Sequence, residues 1–77
     1  MRIENLRAIH GHPANLARFD VEVTPEILLC DMSLRVSRTG HHYVLAARHA
    51  GSKTAHLAPP LAKQITEAVL ARLGGYN

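Results

Sequence analysis

The clearest signal of the fold is the segment Leu28-Leu29-Cys30-Asp31-Met32-Ser33-Leu34-Arg35-Val36, because its apolar residues recur at every second position. The apolar series is Leu28, Cys30, Met32, Leu34 and Val36, and the residues between its members are polar except Leu29. A period of two is typical of a β-strand with one buried and one solvated face. The pattern therefore predicts a central strand from Leu28 to Val36 whose apolar face, including Cys30, packs in the core.

A second alternating run precedes this strand, with Phe19, Val21 and Val23 apolar. Pro25-Glu26 lies between the two runs and predicts a tight turn, since proline favours the first central position of a turn. The two runs are therefore predicted to form a hairpin. Three acidic residues fall on its polar faces, where we expect them only to keep the sheet soluble: Asp20, Glu22 and Asp31.

Two further strands are predicted on either side of the hairpin. Residues 3–9 have mixed patterning and are assigned to an edge strand, which the segment 10–15 connects to the hairpin. The turn signal of residues 37–40 leads into a strand over residues 43–47, which holds aromatic and β-branched residues. Residues 49–56 show no periodicity and are predicted to form a loop. A four-stranded antiparallel β-meander is the simplest topology.

The C-terminal region predicts one amphipathic helix. Pro59-Pro60 can begin a helix, because the first turn needs no N–H donor, and Gly74-Gly75 can end it. An apolar stripe recurs every four residues between these points, at Leu61, Ile65, Val69 and Leu73. The fold class is therefore predicted to be α+β: a four-stranded antiparallel β-meander packed by one C-terminal α-helix, in a single domain over residues 1–77.

Length and composition limit the classes of protein. A chain of 77 residues holds one small core, and its only cysteine excludes an intrachain disulfide, so a homodimer is a natural way to bury more surface. The chain begins without the apolar run of a signal peptide and has no membrane-spanning stretch, so we expect a cytoplasmic protein with no membrane partner. The net charge of +3 is mildly basic.

Candidates for chemistry are few. His10 and His12, and also His41 and His42, are close in sequence, and they would hold a metal only if their turns met at one end of the sheet. No cysteine or acidic residue accompanies them at ligand spacing, so solvated loop histidines are the favoured interpretation. We expect no catalytic residues, no cofactor and no small-molecule substrate, and therefore no enzyme.

Basic residues form the most informative group. Arg35 and Arg38 lie on or just after the polar face of the third strand, and Arg48, His49 and Lys53 follow the fourth strand. If they share one neighbourhood, they form a basic rim that binds phosphates with little sequence reading. The competing interpretation is a solvated face whose charges partly pair with Asp31 and Glu22. Tyr43 is the only aromatic candidate nearby, which does not favour base stacking.

The order of these features resembles the stage V sporulation protein G family of small bacterial regulators. The resemblance rests on the segments 26–32, Gly40 before Tyr43-Val44, 57–61 and 65–70. It implies a homodimer that binds DNA or RNA, with Arg48, His49 and Lys53 as the counterparts of the family's basic residues. The chain departs from the family where Ala47-Arg48-His49 replaces a proline followed by basic residues, and in a shorter segment between Pro60 and Ile65.

A second function remains open from the residues alone. The alternating strands and the small core also suit a protein-interaction module, in which a sheet edge or the C-terminal helix docks a partner chain without nucleic acid.

Overall fold

A computed structural model describes residues 1–49, 52–53 and 55–74, with the backbone alone at residues 48, 49, 52 and 53. Seven elements occur in this part of the chain. In order they are β1 (Arg2–Ala8), β2 (Asn15–Thr24), β3 (Ile27–Val36), β4 (His42–Leu45), β5 (Arg48–His49), β6 (Ser52–Lys53) and α1 (Pro59–Arg72).

Strands β1 to β4 form an antiparallel sheet in their sequence order. This four-stranded meander, packed by α1, confirms the predicted α+β fold class. The two-residue turn at Pro25-Glu26 joins β2 to β3, as the proline predicted. The β3–β4 turn is closed by the Gly40 N–H, which donates to the Ser37 carbonyl at 3.0 Å. Gly40 has a φ of 85°, which a glycine adopts without the steric cost of a side chain.

The core lies between one face of the sheet and α1. Phe19 and Leu34 from the sheet and Ile65 and Val69 from the helix are completely buried. Each large aliphatic side chain removed from water in this way contributes about 1.5–3 kcal/mol. At the far end of the helix, Arg72 Nη1 donates to the backbone carbonyl of Ile3 at 2.9 Å. The helix is therefore held at both edges of the sheet, since it also packs against β4.

The loop predicted for residues 49–56 was wrong in part. β5 and β6 pair as a second antiparallel sheet, with Arg48 opposite Lys53 and His49 opposite Ser52. Strands of two residues are too short to show an alternating pattern, so periodicity does not detect them.

The prediction that Cys30 packs in the core was also wrong, because the first half of β3 does not follow the regular alternation. Phe19 pairs with Met32, but Val21 pairs with Leu29, so Cys30 and Asp31 together oppose the single residue Asp20. Two residues opposite one make a β-bulge, and the residues before it change faces. Cys30 is consequently exposed. Leu28 is 53% exposed, while Leu29 packs against the core.

Candidate nucleic-acid interface

The sheet face opposite α1, called the open face below, carries most of the charged side chains of the strands. Because Leu34 and Ala17 are buried against the helix, their neighbours Arg35 and Arg18 point to the other side of the sheet. The ladder sets Arg18 beside Ser33 and Arg35 beside Tyr43. The open face therefore places the aromatic residue Tyr43 beside the cation Arg35 in adjacent rows.

Arg35 lies within this face, between Asn15 on β2 and Tyr43 on β4. Its side chain is half-buried. Arg35 Nε and Asn15 Oδ1 are buried and have no hydrogen-bond partner within the described part of the chain. A hydrogen bond left unmade at a buried polar atom costs about 1–3 kcal/mol.

Arg38 is exposed in the β3–β4 turn, three residues beyond Arg35. The turn is fixed by two contacts of Ser37, whose N–H donates to the His41 carbonyl and whose Oγ lies 2.9 Å from Thr39 Oγ1. This end of the sheet also holds the β1–β2 connection, because the Val36 N–H donates to the Ala14 carbonyl at 3.0 Å. Arg38 is therefore presented to solvent by a well-bonded turn.

The other three predicted contact residues lie beyond the opposite end of β4. Arg48 and His49 form β5, and Lys53 belongs to β6, but their side chains lie outside the described part of the structure. The four residues of β4 span about 13 Å. The backbone thus brings Arg35 close to Arg38 and Arg48 close to Lys53, with β4 between the two groups. A single rim formed by all five residues stays a prediction.

The acidic residues of the sheet form ion pairs with arginines that are not part of the predicted basic rim. Glu4 and Glu22 both pair with Arg2, at 2.7 and 3.4 Å, and Asp31 pairs with Arg18. Within the described residues, neither Arg35 nor Arg38 forms an ion pair. The alternative in which Asp31 and Glu22 neutralise the predicted rim does not apply to these two arginines.

Charge is divided unevenly along the chain. No acidic residue occurs between Asp31 and Glu67, although this interval contains five of the nine lysines and arginines and four of the six histidines. The interval includes the second half of β3 and all of β4, β5 and β6. All charged residues in residues 32–66 are therefore basic.

On the open face, the carboxylate of Asp20 accepts hydrogen bonds from two other residues. Asn5 Nδ2 donates to Asp20 Oδ2 at 2.7 Å, and the Asp31 N–H donates to Asp20 Oδ1 at 2.8 Å. These two hydrogen bonds, with a smaller contribution from the charge of Arg7, lower the pKa of Asp20 below its ordinary value of 3.8, against the opposing effect of burial. Asp20 therefore has a specific structural role besides solubility.

The histidine pairs do not assemble a metal site in the described residues. The two turns do lie at the same end of the sheet, yet no group of three histidine, cysteine or acidic side chains in the described part is placed to hold an ion. His12 Nδ1 instead accepts hydrogen bonds from the N–H groups of Ala14 and Asn15, at 3.1 and 2.9 Å. His12 thereby stabilises the β1–β2 connection.

Two features of the molecule were not predicted from the sequence, one on the open face and one beside the helix. Arg7 and Arg18 face each other across β1 and β2 on the open face, and the alternation of Arg18 with Phe19 could have identified the latter. A groove of about 570 Å³ also runs between β4 and α1, and no sequence pattern signals it because its walls come from separate elements. Its walls include Tyr43, Val44 and Leu70.

Within the described residues, α1 is the only α-helix, and it is not long and apolar enough to cross a membrane. Comparison of the chain with models of protein families, with curated proteins and with solved structures gives no match.

Proposed function

We propose that the chain is a non-enzymatic, cytoplasmic nucleic-acid-binding or regulatory protein that acts as a dimer and contacts phosphates through a basic rim. The observation that carries the proposal is the absence of acidic residues between Asp31 and Glu67, which leaves Arg35 and Arg38 without ion-pair partners in the described residues. The resemblance to the stage V sporulation protein G family supports the same function.

The chemistry of the two arginines suits a phosphate backbone. A guanidinium group offers several donors in a plane and stays charged at any relevant pH, so it bonds phosphate oxygens with one or two parallel hydrogen bonds. Arg35 lies beside Tyr43 and Arg38 lies on the adjoining turn, so one strand of nucleic acid crossing this end of the sheet meets both. Tyr43 is the only aromatic residue beside them in the described part of the chain, so we expect phosphate contact to exceed base reading.

The test is a binding titration of labelled single-stranded and double-stranded DNA and RNA at several salt concentrations. We expect micromolar affinity that falls as salt rises, because each phosphate contact releases about one counterion. The double variant Arg35→Ala/Arg38→Ala should weaken binding to all sequences and reduce the slope of log affinity against log salt by about 1–2. The corresponding pair Arg48→Ala/Lys53→Ala tests the other half of the predicted rim.

A matched control removes a cation that already has partners. Arg2→Ala eliminates one positive charge at the Glu4 and Glu22 ion pairs, and we expect nearly unchanged nucleic-acid affinity. No binding at low salt, or equal losses in the control and in the rim variants, would reject the proposal.

The dimeric state rests on size. A core of this size provides little stability on its own, and association is one way to bury more apolar surface. Sedimentation equilibrium across a hundredfold range of protein concentration tests it. A mass of one chain throughout that range would contradict this part of the proposal and leave phosphate binding open.

One observation favours the alternative function of a protein-interaction module. The groove between β4 and α1 is lined mainly by apolar surface, and it follows the last strand of the main sheet. Ala62→Arg would fill it with a charged side chain. A partner protein that the wild type and Arg35→Ala/Arg38→Ala retain but Ala62→Arg loses, together with no nucleic-acid binding, would favour this alternative.

A further inference from the structure

The middle of the β2–β3 hairpin is displaced by one residue relative to both of its ends. Phe19 pairs with Met32 at one end, and Thr24 pairs with Ile27 next to the turn. Five steps along either strand lead from the first pair to the second, so a regular ladder would connect them without any offset. The observed pairs between them, Val21 with Leu29 and Glu22 with Leu28, are nevertheless shifted by one.

Two bulges of opposite effect create this displacement. One places Cys30 and Asp31 opposite Asp20, which adds a residue to β3, and the other leaves Val23 as an extra residue on β2. Removing both would restore a regular ladder in which Val21 pairs with Cys30. The turn and the far end of the hairpin would keep their present partners.

The apolar residues of β3 are compatible with either arrangement. In the observed register Leu29 packs against the core, while Leu28 and Cys30 are exposed. In the regular register Leu28 and Cys30 would join Met32 and Leu34 on the core face, and Leu29 would move to the open face. Because apolar residues stand at all three positions, hydrophobic patterning specifies this part of the register weakly.

Polar contacts therefore decide between the two registers, and they centre on Asp20. Its carboxylate accepts from the Asp31 N–H and from the side chain of Asn5, and both donors have left-handed φ angles, 59° at Asp31 and 52° at Asn5. Asn5 lies in a corresponding irregularity of β1. The Asp31 carboxylate is engaged by Arg18. In the regular register Asp20 and Asp31 would be directly opposed, and like charges in that position are unfavourable.

We propose that residues 20–23 of β2 and 28–31 of β3 form a two-position register switch within a hairpin whose ends stay fixed. The Asp20 carboxylate holds the position that displays Leu28 and Cys30 on the open face. Loss of this carboxylate moves both side chains to the core face and turns Leu29 outward. The switch thus controls which apolar side chains the open face presents, and it does not depend on nucleic-acid binding.

Alkylation of Cys30 reports the position directly, since the chain has no other cysteine. Iodoacetamide should modify the wild type at the rate of an exposed thiol. If about nine-tenths of the Asp20→Ala molecules hold Cys30 on the core face, the alkylation rate falls about tenfold. A rate equal to that of the wild type, with cross-strand NMR contacts that still pair Val21 with Leu29, would overturn the proposal.

A matched pair of variants at Asp31 separates the switch from simple loss of a charge. Asp31→Gly and Asp31→Val both remove the ion pair with Arg18, but glycine accepts the φ of 59° and valine disfavours it. We expect alkylation of Cys30 to stay fast in Asp31→Gly and to become slow in Asp31→Val. Equally fast alkylation in two folded variants would count against the switch.

A measurement on the wild-type protein tests the same proposal even if the variants do not fold. A minor population with Leu28 and Cys30 on the core face should produce NMR relaxation dispersion at the amides of residues 20–23 and 28–31. Residues 17–19 should give flat profiles. An unfolded Asp20→Ala would show faster rather than slower alkylation. Flat profiles throughout the hairpin, combined with unfolded or unchanged variants, would reject the proposal.

Discussion

The two halves of β3 have the same alternating composition but opposite relations to the core. In the second half, Met32 and Leu34 are buried as their spacing predicts, at 1% and 0% exposure. In the first half, Leu28 occupies the same phase of the pattern and is 53% exposed. Alternation therefore identifies the strand, but the β-bulge at Cys30 and Asp31, opposite Asp20, reverses the face that the first half presents.

The largest expected effect lies in the regular half. Leu34→Ala removes a fully buried side chain of the core cluster, located between Ala17 of β2 and Val44 of β4, so we expect a loss of about 2–5 kcal/mol in the free energy of unfolding. Urea denaturation followed by circular dichroism measures it. A loss below about 0.5 kcal/mol would show that this half of β3 is not the tightly packed one.

The pH dependence of stability tests the contacts that distinguish the first half. Because the pKa of Asp20 is lower in the folded state than its ordinary value of 3.8, its ionised form stabilises the fold above that pH. This contribution is lost as the pH falls from 3.8 through the folded-state pKa. Thermal melts of the wild type and of Asp20→Asn should therefore differ at pH 6 and converge at pH values well below 3.8.

Glu22→Gln serves as the control for this comparison, since Glu22 also carries a carboxylate on the open face but pairs only with Arg2 among its described contacts. Exposed pairs of this kind contribute little. If the gap between the wild type and Asp20→Asn stayed constant from pH 6 to pH 2.5, the hydrogen bonds to Asp20 would not be the source of the stability.

Much of the fold was predictable because its signals lie in residues that are close together in the sequence. The hairpin follows from local alternation around Pro25-Glu26, and the helix follows from an apolar stripe between Pro59-Pro60 and Gly74-Gly75. Each signal depends on neighbouring residues only. The bulge at Asp31 was not predictable from local pattern, because its contacts join different strands: the Asp31 N–H donates to Asp20, eleven residues away in the sequence.

The same distinction applies to the candidate site, where only the features that depend on local sequence were predictable. The positions of Arg35 on a polar strand face and of Arg38 in the adjoining turn follow from alternation and from the turn signal ending at Gly40. Which cation each acidic residue pairs with could not be predicted in the same way. The ion pair of Asp31 with Arg18, for example, depends on the register between β2 and β3. A pattern in one strand therefore locates a cation, while neighbouring strands determine whether it is neutralised.

The smallest expected effect concerns Leu28 and sharpens the contrast between the two halves of β3. Leu28→Ala alone should change the free energy of unfolding by less than about 0.5 kcal/mol, because the side chain is already largely exposed. In the background of Asp20→Ala the same substitution should cost about 2 kcal/mol or more, since Leu28 then lies on the core face. Urea denaturation of the four proteins in this double-mutant cycle gives a coupling energy between Leu28 and Asp20. A value near zero would mean that Leu28 keeps the same environment with and without Asp20, and a large cost in the wild-type background would mean that the regular register already predominates there.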